Sequence, residues 1–289
     1  MNFEKRPLPA GLYLVSTPIG TARDITLRAL DILASADLLV AEDTRTLRKL
    51  MDLHGIPLEG RRVMSYHDHS SKGDRARIVE AVMGGQSVAY ASEAGTPLIA
   101  DPGFGLVADV REAGGLVTAA PGPSAAITAL SLAGLPTDAF HFAGFLPASS
   151  AARQKALAAL ASLAATLVIY EAPGRVGRCL ADCARMLGDA RQAALCRELT
   201  KRFEEVRRGT LGALLADVEA KPPKGECVIL IAKSQEKEMG DGEILEALKG
   251  ALTNRTVKDA VAVVAGSFGV PRRQVYQMAL ELQKSEGDG

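Results

Sequence analysis

No run of about 18 apolar residues occurs anywhere in this 289-residue chain, so a membrane-crossing helix is not expected. The opening stretch MNFEKRPLPAG has no apolar core of the kind a secretory signal needs. Cysteine is sparse: Cys179, Cys183, Cys196 and Cys227 lie scattered in apolar surroundings with no CxxC pair. That argues against a zinc site and for small buried thiols in a reducing, cytoplasmic compartment. Neither sign of charge is in excess, with 34 basic and 34 acidic residues, which argues against a purely electrostatic nucleic-acid binder but leaves local basic patches open. The GxGxxG and Walker-A patterns are both missing, so dinucleotide binding and nucleotide hydrolysis have no local support. The histidines of Tyr66-His67-Asp68-His69 are too close and too few for a metal site, and a surface turn is the better reading. No metal is expected.

What is present is alternation. Apolar residues make up 47% of the chain, enough for ordinary cores, and the length suits two domains. Short apolar runs read as strands at 12–16, 38–41, 63–65, 88–91, 116–119 and 140–143. Helical spacing fills the gaps: Leu47, Leu50, Met51 and His54 share one face, and Asp24 is placed to cap the helix that follows it. Such alternation predicts a mostly parallel, two-sided α/β sheet. A polar, small-residue stretch at 145–152 suggests a boundary between an N-terminal α/β domain (1–145) and a second α/β domain (146–235). The second series has strands at 167–170, 193–198 and 227–232 and a helix over 173–187 with proline at its favoured start. After a charged linker, the region 236–289 reads as helical. Val257, Ala260, Val261 and Val264 form one face, Gly269 and Pro271 a break, and Val275, Met278, Ala279 and Leu282 a second face.

Chemistry concentrates at strand ends. Ser16-Thr17-Pro18-Ile19-Gly20 follows the first strand and is either a simple turn or part of a ligand site. Glu42-Asp43-Thr44-Arg45 ends the second; two carboxylates beside a guanidinium form either an internal ion pair or a substrate-positioning and base cluster. The fourth strand runs into a long loop, Ser92-Glu93-Ala94-Gly95-Thr96-Pro97-Leu98-Ile99-Ala100-Asp101-Pro102-Gly103, and the fifth into Pro121-Gly122-Pro123-Ser124-Ala125 at a helix start. Glycine lets backbone approach a ligand closely, and exposed backbone N–H groups hold carboxylates. Three such loops point to one shared cleft. In the second half, Tyr170-Glu171-Ala172-Pro173-Gly174-Arg175 ends a strand. The stretch from Arg197 to Gly209 carries Arg197, Lys201, Arg202, Arg207 and Arg208 among acids, either a solvated face or a set of phosphate-positioning groups.

In order, the blocks TPIG, AEDTR, SYHDH, AGTPLIADPG, PGPSA, FAGFLP, YEAPGR, RELTKRFEEVRRG and KGE resemble the motif series of the small-subunit ribosomal RNA cytidine-2′-O-methyltransferase I family. They span about residues 11–231, and the helical tail is also similar. The resemblance implies the tetrapyrrole methylase (class III methyltransferase) fold: two α/β domains with S-adenosylmethionine in the cleft between them. It further implies a homodimer and, as methyl acceptor, a cytidine of 16S rRNA near the P site of the small ribosomal subunit. Carried over by position, the cofactor contacts are Pro18, Gly20, Ser92, Glu93, Ala94, Gly95, Thr96, Pro97, Ile99, Ser124, Ala125, Tyr170, Glu171 and Pro173. Glu42 and Asp43 are the base or orienting candidates with Arg45 beside them; Arg175, Arg197, Lys201, Arg202, Arg207 and Arg208 are the RNA-contact candidates. Thr21, Glu93 and Gly174 stand where the family usually has Asn, Asp and His. Two other functions fit less well: a tetrapyrrole C-methyltransferase, and a non-catalytic RNA-binding or ribosome-assembly protein on the same fold.

Overall fold

The first five strands are short and apolar, and β2 (Leu38–Ala41) and β4 (Ser87–Ala91) are buried along their whole length. Uniform burial is what a parallel strand covered on both faces requires. In the computed structural model, which describes residues 2–67, 70–234, 241–268 and 270–287, with side chains except at 241–243 and 283–287, they pair with β1 (Gly11–Val15), β3 (Val63–Ser65) and β5 (Val117–Ala120). The sheet is parallel throughout, in the order β3-β2-β4-β1-β5. Alternate residues point to opposite faces. Val15, Leu39 and Ala89 meet α1 (Leu27–Ser35) and α2 (Thr44–Leu53). Leu12, Val40 and Tyr90 meet α3 (Lys72–Met83) and α4 (Phe104–Glu112). The helix face predicted from Leu47, Leu50 and Met51 is the buried face of α2. Asp24 does not cap α1: it closes a short 3-10 turn, and Thr26 accepts from the Ala29 N–H at 3.2 Å instead. The buried, extended Ile25 delays the helix start by two residues.

The strand expected at 140–143 is real but belongs elsewhere. It extends to Phe145 and, as β6 (Phe140–Phe145), opens a second sheet rather than closing the first. That sheet runs β6-β7-β10-β8-β9, with β7 (Thr166–Glu171), β8 (Gln192–Arg197), β9 (Glu205–Thr210) and β10 (Cys227–Ile231). Only β6 and β7 are parallel; the other neighbours are antiparallel. Leu167, Ile169, Leu195 and Ile229 pack outward on α6 (Ser150–Leu160), α7 (Val176–Leu187) and α8 (Leu211–Ala220). Val168, Ala194, Val228 and Leu230 face the other way, onto Ala126, Ala129 and Leu130 of α5 (Ala125–Ala133). Helix α5 leaves the first sheet and packs on the second, so its start is fixed at the seam between them.

A buried ion pair ties α6 to α7. The Arg153 guanidinium reaches Asp182 at 2.6 Å, and Ser150 and Gln154 donate to the same carboxylate. Burial opposes ionisation of Asp182, but those hydrogen bonds and the Arg153 charge outweigh it and hold its pKa below the usual range.

Residues 241–287 form a separate helical unit of α9 (Asp241–Leu252), α10 (Val257–Phe268) and α11 (Arg272–Gly287). The two predicted apolar faces share its core with Ile244 and Leu248. Asp68 and His69 of the histidine turn, Gly269 of the break and residues 235–240 of the expected linker lie outside the described residues.

Candidate active site

The strand order explains why the Gly/Pro loops converge. Strands β4, β1 and β5 are neighbours, so the loops after them lie side by side at the carboxyl edge, where open α/β sheets place ligands. Backbone pairs Thr17 with Gly95 in both directions, at 2.9 and 3.0 Å. Ser16 donates to Thr96 at 3.3 Å and Thr96 to the Pro123 carbonyl at 2.9 Å, joining all three loops. The long loop carries backbone that L-residues rarely adopt: φ is +72° at Leu98 and +62° at Ala100, besides +88° at Gly95. Such conformations cost about 1–3 kcal/mol each and cluster where a loop is shaped for a ligand.

The second sheet supplies the opposite wall. Tyr170 and Glu171 end β7 directly across from Val228 and Cys227 at the start of β10. Between the walls lies a cleft of about 480 Å³, within the range of small-molecule sites. Glu42, Glu93, Asp101, Glu171 and Glu226 line it, and among the described residues no lysine, arginine or histidine does. Apolar contacts come from Ile19, Ile99, Phe145 and Val228. The Tyr170 ring packs edge-on against Phe142 at 4.9 Å and Phe145 at 5.7 Å, and burial raises its phenol pKa. Burial also pushes the Cys227 thiol up to about 11, so it is a neutral wall group rather than a nucleophile.

A family model described as Tetrapyrrole (Corrin/Porphyrin) Methylases matches residues 11–215, and one described as RsmI C-terminal HTH domain matches 238–283. Ribosomal RNA small subunit methyltransferase I of Mesorhizobium japonicum is 44% identical over 286 residues, covering 98% of this chain and 96% of that protein. The chain belongs to the ribosomal RNA small subunit methyltransferase I family. The Escherichia coli O157:H7 protein of that name is 42% identical, over 94% of this chain and 95% of its own. Among solved structures, uroporphyrin-III C-methyltransferase from Thermus thermophilus complexed with S-adenyl homocysteine superposes with a TM-score of 0.53 at 18% identity, over 76% of this chain and 96% of that one, which shows the shared fold.

Against this membership of the methyltransferase I family, the residues expected from sequence sort as follows. Glu93, Ala94, Gly95, Thr96, Ile99, Ser124, Ala125, Tyr170, Glu171 and Pro173 all line the cleft. Ser92 lies behind it, buried, donating to the Gly95 carbonyl at 2.6 Å. Pro97 lines an adjoining apolar hollow that shares Thr96, Ile99 and Ser124. Pro18 and Gly20 line neither. Gly20 is a close-approach point: a Cβ there would sit 2.6 Å from Thr200 Oγ1 and Lys201 Cγ of the second sheet's loop. Thr21, the family's usual Asn position, is clasped to Thr200 by its backbone N–H at 3.1 Å and by its hydroxyl. Gly174 has open space around it, so the lost histidine leaves no steric mark.

The Glu42-Asp43-Arg45 cluster splits. Glu42 lines the cleft. Asp43 caps α2, accepting from the Arg45 N–H at 2.7 Å, and pairs with the Arg45 guanidinium at 3.0 Å, which holds its pKa low. Most of the basic set is spoken for as well. Arg175 pairs with Glu171 at 3.0 Å, Arg197 with Glu205 at 2.6 Å, Lys201 with Glu198 and Glu226, and Arg207 with Glu205 and Asp217. Arg208 donates to the Leu132 carbonyl. Sequence reasoning missed Asp101, Glu226, Cys227 and Phe145 in the cleft wall. Only the positions of Asp101 and Phe145 beside Gly/Pro stretches hinted at them; Glu226 and Cys227 arrive through β-pairing with distant strands.

Proposed function

We propose that the chain transfers a methyl group from S-adenosylmethionine to the 2′-hydroxyl of a cytidine in small-subunit ribosomal RNA, acting as a cytoplasmic homodimer. The observation that carries the cofactor reading is the acidity of the cleft: Glu42, Glu93 and Asp101 line it besides Glu171 and Glu226, which pair with Arg175 and Lys201, and no cationic side chain among the described residues lines it, which suits a ligand bearing a sulfonium and an ammonium. The apolar contacts of Ile19, Ile99, Ala125 and Val228 suit its adenosine. The acceptor reading rests on the names of the relatives and on the motif series.

When bound, S-adenosylmethionine supplies an electrophilic methyl carbon with a neutral thioether as leaving group. The chain's own work is then positioning and proton removal. The Thr17–Gly95 bridge and the Ser16–Thr96–Pro123 chain hold the loop wall still, so a ligand meets a preorganised surface. Such orientation lowers a barrier by roughly 7–11 kcal/mol when geometry is near attack. Glu42, at the end of β2 next to the Glu93 loop, orients the ribose hydroxyl and accepts its proton as the O–C bond forms. A general base of this kind contributes about 10²–10⁴-fold. Asp43 and Arg45 keep the first turn of α2, and hence Glu42, in place.

The test is label transfer from S-adenosylmethionine to 30S subunits that lack the modification, with nucleoside analysis of the product. Radiolabelled 2′-O-methylcytidine, or its base-methylated form, is the expected product. Cofactor binding without transfer to RNA would refute the acceptor; no cofactor binding would refute the enzyme reading.

A further inference from the structure

We infer that Phe203 and Arg202 form a stacking platform for an unpaired nucleobase of the RNA beside the methyl acceptor. The inference deepens the proposed RNA methylation and rests on it.

The turn between β8 and β9 is built to hold an unusual shape. Glu198 and Thr200 both have positive φ, +50° and +62°. The Lys201 N–H donates to the Glu198 carbonyl at 3.0 Å, the Glu204 N–H to the Lys201 carbonyl at 3.1 Å and the Thr200 N–H to Glu204 Oε2 at 2.7 Å. The Lys201 ammonium bridges Glu198 at 3.0 Å and Glu226 at 2.9 Å. Glu226 lines the cleft and Thr200 clasps Thr21, so the turn sits on the cleft rim. A turn fixed this firmly would be expected to bury both of its large apolar side chains, as it does Leu199. Instead Phe203 is 62% exposed. The Arg202 guanidinium lies over its ring, 5.4 Å from the centroid.

Arg202 differs from its neighbours. Arg197, Lys201 and Arg207 are neutralised by carboxylates, and Arg208 is tied to a backbone carbonyl. Arg202 has no acidic partner among the described residues. A planar cation and an aromatic face, both presented to solvent by a rigid turn, match what single-stranded RNA offers: flat π-faces carried on a phosphate backbone.

The test uses the full chain, 30S subunits lacking the modification, and S-adenosylmethionine. F203A should raise KM for 30S about tenfold, in the range that one base–aromatic stack supplies. It should leave KM for S-adenosylmethionine, the melting temperature and the oligomeric state as in the wild type. F203W should restore KM to within about twofold, since stacking tolerates any aromatic face. R202A should raise KM for 30S and flatten its dependence on salt by about one phosphate contact. Wild-type kinetics in F203A would overturn the inference. So would a loss that F203W does not rescue, or one that accompanies dissociation of a dimer, which would make Phe203 a subunit contact. Absence of transfer by the wild type itself would refute the RNA-methylation reading, and this inference with it.

Discussion

The backbone N–H of Ala126 donates to the phenol oxygen of Tyr170 at 3.0 Å, so the first turn of α5 is capped by a side chain from the second sheet and not by its own N-cap residue Ser124. One hydrogen bond thereby couples the loop wall to the opposite wall of the cleft. Tyr170→Phe removes the acceptor and keeps the ring. Stability should fall by about 1 kcal/mol, the worth of one such bond. S-adenosylmethionine binding should weaken a few-fold, because the two walls lose their tie. Tyr170→Ala also removes the ring packed on Phe142 and Phe145 and should cost about 3 kcal/mol or more. Urea denaturation and calorimetric titration check both effects.

Neighbouring carboxylates should behave differently. Glu42→Gln keeps size and loses the base, so single-turnover transfer should slow by about 10²-fold or more with cofactor affinity retained. Asp43→Asn should be nearly silent in activity, since Asn caps a helix as well as Asp does. Asp43→Ala should lower the melting temperature by a few degrees through the lost cap of α2. A single-turnover rate for Glu42→Gln equal to wild type would remove Glu42 from the chemistry.

Much of this arrangement is legible in the sequence, and the misses have physical causes. The parallel strands are legible because each is a short apolar run, and the cleft loops because three of those runs, β1, β4 and β5, end in Gly/Pro-rich stretches. Strand β9 was not, because it lies at a sheet edge and buries little: only Val206 packs on the core, while Glu205 and Arg207 alternate with it. Edge strands use charge to resist unwanted pairing, and that disguises them as solvated runs. Which sheet takes Phe140–Phe145 is decided by pairing with Thr166–Tyr170, a non-local fact that local periodicity does not carry. The fate of the basic residues is hidden for a similar reason, since Arg197 is neutralised by Glu205 across the β8–β9 register and Arg207 by Glu205 of its own strand and Asp217 of α8.

Acid should probe that register. Hydrogen bonds from Arg197 and then Arg207 lower the Glu205 pKa to about 2 from an ordinary 4.5. A carboxylate depressed in the folded state adds stability above its unfolded value and loses it as pH falls through the folded one. The Glu205 contribution is therefore complete above about pH 4.5 and gone below about pH 2. Glu205→Gln should be less stable than wild type at neutral pH, with the gap closing across that window in pH-resolved thermal melts.

The Arg153–Asp182 pair offers a sharper contrast. Asp182→Ala strands a buried guanidinium and should cost about 3–5 kcal/mol, whereas replacing Arg153 and Asp182 together with apolar residues of similar volume should come close to neutral. Guanidinium denaturation of the single and double variants distinguishes specific pairing from simple packing.

Strand order also sets a timetable for synthesis. The five strands of the first sheet are all present once residue 120 has been made, so that half of the cleft can assemble early on the ribosome. The second sheet cannot. Its middle strand is β10, residues 227–231, the last strand among the described residues; until it arrives, β6-β7 and β8-β9 are two separate pairs with no neighbour between them. Glu226, Cys227 and Val228 reach the cleft with that same strand. A nascent chain halted before residue 227 therefore holds a finished loop wall facing an unfinished one, and the cleft has both its walls only once that strand is made.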